Sequence, residues 1–122
     1  MFYTKLNHFA FWLWVCLFVA MACTPILVEI VKGILEVVYK VLRKNGAYYF
    51  SPIMNGYGKS GVPDIIVCYN GKFVGIECKV GKKKPTELQQ KNLNEIEATG
   101  GHTLVINENN ILAVQDLLNK IK

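Results

Sequence analysis

The dipeptide Asn70-Gly71 lies between two β-rich runs, Asp64-Ile-Ile-Val-Cys-Tyr69 and Lys72-Phe-Val-Gly-Ile-Glu-Cys-Lys-Val80. Asn-Gly is the pair most favoured in a type I′ turn, because both central residues must take positive φ. The pattern therefore predicts an antiparallel hairpin, and the turn fixes its register. With Asn70 and Gly71 as the central residues, Tyr69 faces Lys72, Val67 faces Val74, Ile65 faces Ile76, and Asp64 comes opposite Glu77. Directly opposed side chains in an antiparallel pair stand about 4.5 to 5.5 Å apart at Cβ on one face. Lys79, two residues beyond Glu77, projects from that same face.

A lone hairpin is at best marginal in water, so the rest of the chain has to cover it. From Ile26 to Lys44, Glu29, Lys32, Glu36, Lys40 and Lys44 recur at three- and four-residue steps between Ile30, Val31, Ile34, Leu35, Val38, Val41 and Leu42. This is the pattern of an amphipathic helix. Asn45-Gly46 stops it, and Ala47-Tyr48-Tyr49-Phe50 reads as a short strand. Pro85 and Thr86 open a second helix running to about Thr99, with Thr86 and Gln89 at capping-box spacing and Gly100-Gly101 at its end. Thr103 to Ile106 makes a further strand, and Val114, Leu117, Leu118 and Ile121 mark a last amphipathic helix. The order is α-β-β-β-α-β-α, which predicts a single α/β domain with a mixed sheet flanked by helices.

At 122 residues a chain can bury one core without disulfide or metal staples. The four cysteines, Cys16, Cys23, Cys68 and Cys78, show no CxxC pair and no zinc spacing, so Cys68 and Cys78 read as small apolar filler on strands. A net charge of +5 favours anionic partners. The excess is local: Lys72, Lys79, Lys82, Lys83, Lys84 and Lys91 crowd into one stretch.

Phe9 to Cys23 carries no charge, and the apolar character continues to Val28, close to the roughly 20 residues of a membrane span. Residues 9–28 could anchor the chain in a membrane or form a signal segment ending near Ala20-Met21-Ala22. The favoured expectation is that residues 1–20 precede the true start at Met21, leaving 21–122 as the functional domain. Without the anchor, the expected location is cytoplasmic, the host's cytoplasm if a phage encodes the chain.

Two acids and a lysine side by side pack poorly in a core, since adjacent carboxylates repel and resist burial. A divalent cation resolves the conflict, and all-oxygen ligation near a phosphate suits Mg²⁺ or Mn²⁺. The competing reading is a solvated salt-bridge trio on an open sheet face. Ile65, Ile66, Val67, Val74 and Ile76 weigh against it by making both strands look buried on both faces.

Three ordered motifs, Gly61-Val62-Pro63-Asp64, Gly71-Lys-Phe-Val-Gly-Ile-Glu-Cys-Lys79 and Lys84-Pro-Thr-Glu-Leu-Gln89, resemble the VRR-NUC domain of the PD-(D/E)XK nuclease superfamily, in its stand-alone phage and bacterial form. The resemblance spans about Glu29 to Ile106. It implies a restriction-endonuclease-like core and a metal-dependent deoxyribonuclease whose catalytic set is Asp64, Glu77, Lys79 and Gln89. Asp64, Glu77 and the Cys78 carbonyl would hold Mg²⁺ or Mn²⁺. Glu29 is the candidate for the first-helix acid, with Glu36 an alternative two turns on. The resemblance further implies DNA as partner, branched or junction DNA among the substrates, and a homodimer.

Lys82, Lys83 and Lys84 follow directly on the strand bearing Glu77 and Lys79 and are candidates for phosphate contacts, as are Tyr57 and Lys59 in the glycine-rich loop before Asp64. Gly58-Lys59-Ser60 imitates the end of a Walker A motif, but Ile53 replaces its first glycine and a strand follows, so nucleotide triphosphate binding is excluded. The alternative from another class is a nucleic-acid-binding module without catalysis, membrane-anchored if residues 9–28 are retained. The complete Asp64, Glu77, Lys79 set argues against it.

Overall fold

The computed structural model describes residues 2–53, 56 and 58–122. Its elements are α1 (Phe2–Lys44), β1 (Tyr48–Phe50), β2 (Ile65–Tyr69), β3 (Lys72–Cys78), α2 (Glu87–Ala98), β4 (His102–Ile106) and α3 (Leu112–Ile121), in the order expected. The sheet runs β1-β2-β3-β4. Its first three strands form an antiparallel meander, and β4 joins β3 in parallel after the α2 crossover.

The hairpin has the expected register, with Ile65 opposite Ile76, Val67 opposite Val74 and Tyr69 opposite Lys72. Asn70 and Gly71 take φ of 50° and 73°, the two positive values that a type I′ turn demands. Every second residue of β3 then points to the same side. Val74, Ile76 and Cys78 join Ile65 and Val67 of β2 and Ile106 of β4 in a core closed by Ile34, Val38 and Leu42 of α1 and Val114, Leu118 and Ile121 of α3. Ile65, Ile106, Val38 and Leu42 have no exposed surface, and burial of each such side chain contributes about 1.5 to 3 kcal/mol.

The other side of the sheet is covered by α2. A Cβ added to Gly75 would come within 2.9 Å of Ile96 Cδ1 and of Pro63 Cγ, and one on Gly101 within 2.7 Å of Ile96 Cγ2. Glycine at these two positions lets α2 and the chain before Asp64 settle directly on the strands. The capping box forms as predicted: the Thr86 hydroxyl accepts from the Gln89 N–H, and the Gln89 side chain accepts from the Thr86 N–H.

The chain divides into two compact units, Met1–Ile30 and Val31–Lys122. In the first, the α1 backbone is helical through Pro25, and Phe9, Phe11, Trp12, Trp14 and Phe18 are exposed. Trp12 Nε1 donates to His8 Nε2 at 3.1 Å. Among the described residues no helix is long and apolar enough to cross a membrane.

Two expectations need correction. Cys68 is not core filler: it is exposed, while Cys78 is buried. The hairpin is also not buried on both faces throughout: β3 is closed from Val74 to Cys78, but Ile66 is half-buried and Cys68 exposed on the second side of β2.

Candidate active site

Glu77 follows Ile76 on β3, so it turns away from the apolar core toward the α2 side of the sheet. It is nonetheless only 1% exposed. Extending the ladder one step beyond Ile65 and Ile76 sets Asp64 opposite it. Asp64 lies just before β2 and is fixed by its own hydrogen bond, Oδ2 accepting from the Cys78 N–H at 2.8 Å.

Two side chains converge on Glu77 Oε1. Gln89 Nε2 donates to it at 2.8 Å, and Lys79 Nζ lies 3.3 Å away. Lys79 Nζ also donates to Gln89 Oε1 at 2.7 Å, and that same oxygen accepts the Thr86 N–H at 2.9 Å. The orientation of the Gln89 amide is therefore set: its oxygen takes two donors, which leaves its NH₂ to face the carboxylate. Glu77 Oε2 is buried and, among the described residues, has no hydrogen-bond partner. An orphaned carboxylate oxygen in a nearly dry position is unfavourable unless something cationic or a proton meets it.

Electrostatics expresses the same conflict. Burial is the main force pushing the Glu77 carboxyl up to about 7, the Asp64 carboxylate adds to it, and Lys79 opposes both. A hard divalent cation suits this donor set, because the orphaned oxygen and the facing Asp64 offer two anionic oxygen ligands and a cation would replace the missing compensation. Cys78 has no role as a thiolate. Its side chain is in the apolar core, and burial with the two nearby carboxylates pushes the thiol up to about 12, so only its carbonyl could serve a metal. Among the described residues, no group of three or more His, Cys, Asp or Glu side chains is placed to hold a metal. Glu29 is exposed in the N-terminal unit, and Glu36 is exposed on α1, off its buried stripe.

Lys82, Lys83 and Lys84 are all exposed in the loop after β3. Lys59 is exposed and paired with Glu95 of α2. Its loop is pinned to α2 a second time, where Asn92 Nδ2 donates to the Ser60 carbonyl at 3.0 Å. Tyr57 lies outside the described residues. Pattern reading overlooked Asn107 and Glu108, which grip the loop carrying the three lysines. The signal available was the run Asn107-Glu-Asn-Asn110, dense in side chains that bond to backbone.

No family model matches the chain. Over 63 residues it is 32% identical to "Putative nuclease p44" of Acyrthosiphon pisum secondary endosymbiont phage 1, an alignment covering 51% of this chain and 68% of the phage protein. The chain belongs to the family of that phage protein. The solved structure of the Holliday junction resolvase Hjc of Archaeoglobus fulgidus superposes with a TM-score of 0.46 at 16% identity, over 63% of this chain and 67% of that one.

Proposed function

We propose that this chain is a nuclease of the restriction-endonuclease-like superfamily, of VRR-NUC type, hydrolysing phosphodiester bonds in DNA with Mg²⁺ or Mn²⁺. The observation that carries the reading is the buried Glu77, with one oxygen tied to Gln89 and Lys79 and the other without a hydrogen-bond partner among the described residues, on the strand position opposite Asp64. Membership in the phage family supports it.

Asp64 and Glu77 would hold the cation, with the Cys78 carbonyl as a further candidate ligand. A bound divalent cation supplies Lewis-acid polarisation of the phosphoryl oxygen and a more acidic attacking water. The protein's own groups do the rest. Lys79, held between Glu77 and Gln89, presents an ammonium to the charge that grows on the phosphate oxygens in the transition state. Gln89 orients both the carboxylate and the lysine. Lys82, Lys83, Lys84, Lys59 and Tyr57 are assigned to the DNA backbone, which makes binding fall with salt. Branched and junction DNA lead the substrates to compare, with a homodimer as the assembly that could address two strands.

The test is cleavage of linear, circular and branched DNA by the full chain with Mg²⁺, Mn²⁺ or EDTA. Cutting is expected with either metal, none with EDTA, and roughly a hundredfold or greater loss in Asp64→Ala and Lys79→Ala. Undiminished metal-dependent cutting by Asp64→Ala would refute the site. Binding without cutting under every metal would favour the non-catalytic module.

A further inference from the structure

The loop that carries Lys82, Lys83 and Lys84 has no regular structure of its own, but its first residue is held from outside. Both carboxylate oxygens of Glu108 accept the Gly81 N–H, at 2.9 and 3.0 Å. Asn107 Nδ2 donates to the Gly81 carbonyl at 3.2 Å. The backbone of Gly81, at φ 61°, is thus gripped on its N–H and on its C=O by two consecutive residues of the β4–α3 turn. The turn is itself braced. Asn110 Oδ1 accepts the Asn107 N–H and its Nδ2 donates to the Val105 carbonyl, while Asn107 Oδ1 accepts the Asn109 N–H. One residue upstream of Val80, the Lys79 N–H donates to the Ile106 carbonyl at 2.8 Å. Besides the loop's own turn bond, Lys83 N–H to the Val80 carbonyl at 3.2 Å, the bonds that hold Lys79 and Gly81 come, among the described residues, from Ile106 to Glu108.

We infer that Glu108 and Asn107 are positioning residues for DNA binding: their grip on Gly81 pre-orders the Lys82–Lys84 loop so that its ammonium groups meet the DNA backbone without first paying to order the chain. This deepens the function proposed above and rests on its assignment of the three lysines to phosphate. Ordering a free loop costs conformational entropy, so releasing this one taxes each binding event even though every lysine remains.

The inference opposes what charge alone predicts. Glu108 is an acid beside a basic loop, and its loss should, by electrostatics, tighten DNA binding. Charge-matched variants separate the two effects. Glu108→Gln removes the charge but keeps one acceptor oxygen for the Gly81 N–H, whereas Glu108→Ala removes charge and acceptor together. Asn107→Ala leaves the net charge unchanged. Binding of the full chain to a fluorescent DNA duplex is measured by anisotropy in EDTA across a salt series, so that no strand is cut.

The expected result is that Glu108→Ala binds about fivefold more weakly than Glu108→Gln, and Asn107→Ala about threefold more weakly than the unaltered chain, with the salt slope unchanged because the same lysines still reach phosphate. Equal affinities for Glu108→Ala and Glu108→Gln would overturn the inference. A triple Lys82→Ala, Lys83→Ala, Lys84→Ala variant isolates the reading beneath it: a shallower salt slope supports that reading, and an unchanged slope removes it whatever the Glu108 pair does.

Discussion

Glu77→Gln offers a direct measure of what the buried carboxylate costs the protein before any cation arrives. In the folded chain its carboxyl titrates at about 7 instead of the ordinary 4.5, chiefly through burial and then through Asp64. The folded state therefore holds this proton more tightly than the unfolded chain does. The resulting stabilisation is fully present below pH 4.5 and is lost as pH rises to about 7, a total of about 3 kcal/mol. Against the 5 to 15 kcal/mol typical of domains, that is a large fraction. Glu95 and Glu108 are held below the usual carboxylate range, Glu95 by Lys59 and Glu108 by the Gly81 N–H, so they act at lower pH and leave this window to Glu77. The assay is urea unfolding in EDTA at half-unit steps from pH 4.5 to 8, for the unaltered chain and for Glu77→Gln. The unaltered chain should lose about 3 kcal/mol across the window and Glu77→Gln should stay nearly flat. Mn²⁺ should restore stability to the unaltered chain above pH 7 far more than at pH 5, where the proton competes, and should do little for the variant. Parallel pH curves for the two proteins would refute the reasoning.

Two shorter expectations follow from the same neighbourhood. Gln89→Leu removes the donor to Glu77 Oε1 and the acceptor for the Thr86 N–H, so it should cost about 1 kcal/mol in helix capping and lower cleavage roughly tenfold, read by thermal melting and initial rates. Gly61→Ala should destabilise by about 2 to 3 kcal/mol in chemical denaturation, because Gly61 has φ 73° and a Cβ there would come within 2.6 Å of Leu88 Cγ and 3.1 Å of the Leu88 backbone.

The parts of the fold legible in the sequence are those set by short-range chemistry. Asn70-Gly71 determined the turn, the turn determined the register, and the register set Asp64 opposite Glu77 without tertiary information. Thr86 and Gln89 announced the α2 start for the same reason, since a capping box closes within four residues. Longer-range bonds left less trace. The grip of Glu108 on Gly81 joins residues 27 apart, and that of Lys59 on Glu95 joins residues 36 apart; the run from Asn107 to Asn110 signals side chains that bond to backbone, but neither local pattern names the distant partner. Gln89 was visible as a cap, but its simultaneous hold on Lys79 and Glu77 depends on how α2 lies across the sheet. Cys68 misled because an apolar run says that a strand is covered and not on which side its last residues emerge.

Strand β3 carries two messages in alternate letters. Val74, Ile76 and Cys78 spell out adhesion to the helices beneath, while Glu77, and Lys79 one residue past the end of the strand, spell out the polar cluster on the far side. Because neighbouring letters look in opposite directions, a lineage is free to rewrite its chemistry without disturbing what holds the molecule together. A single inserted residue within the strand would exchange the two texts and ruin both.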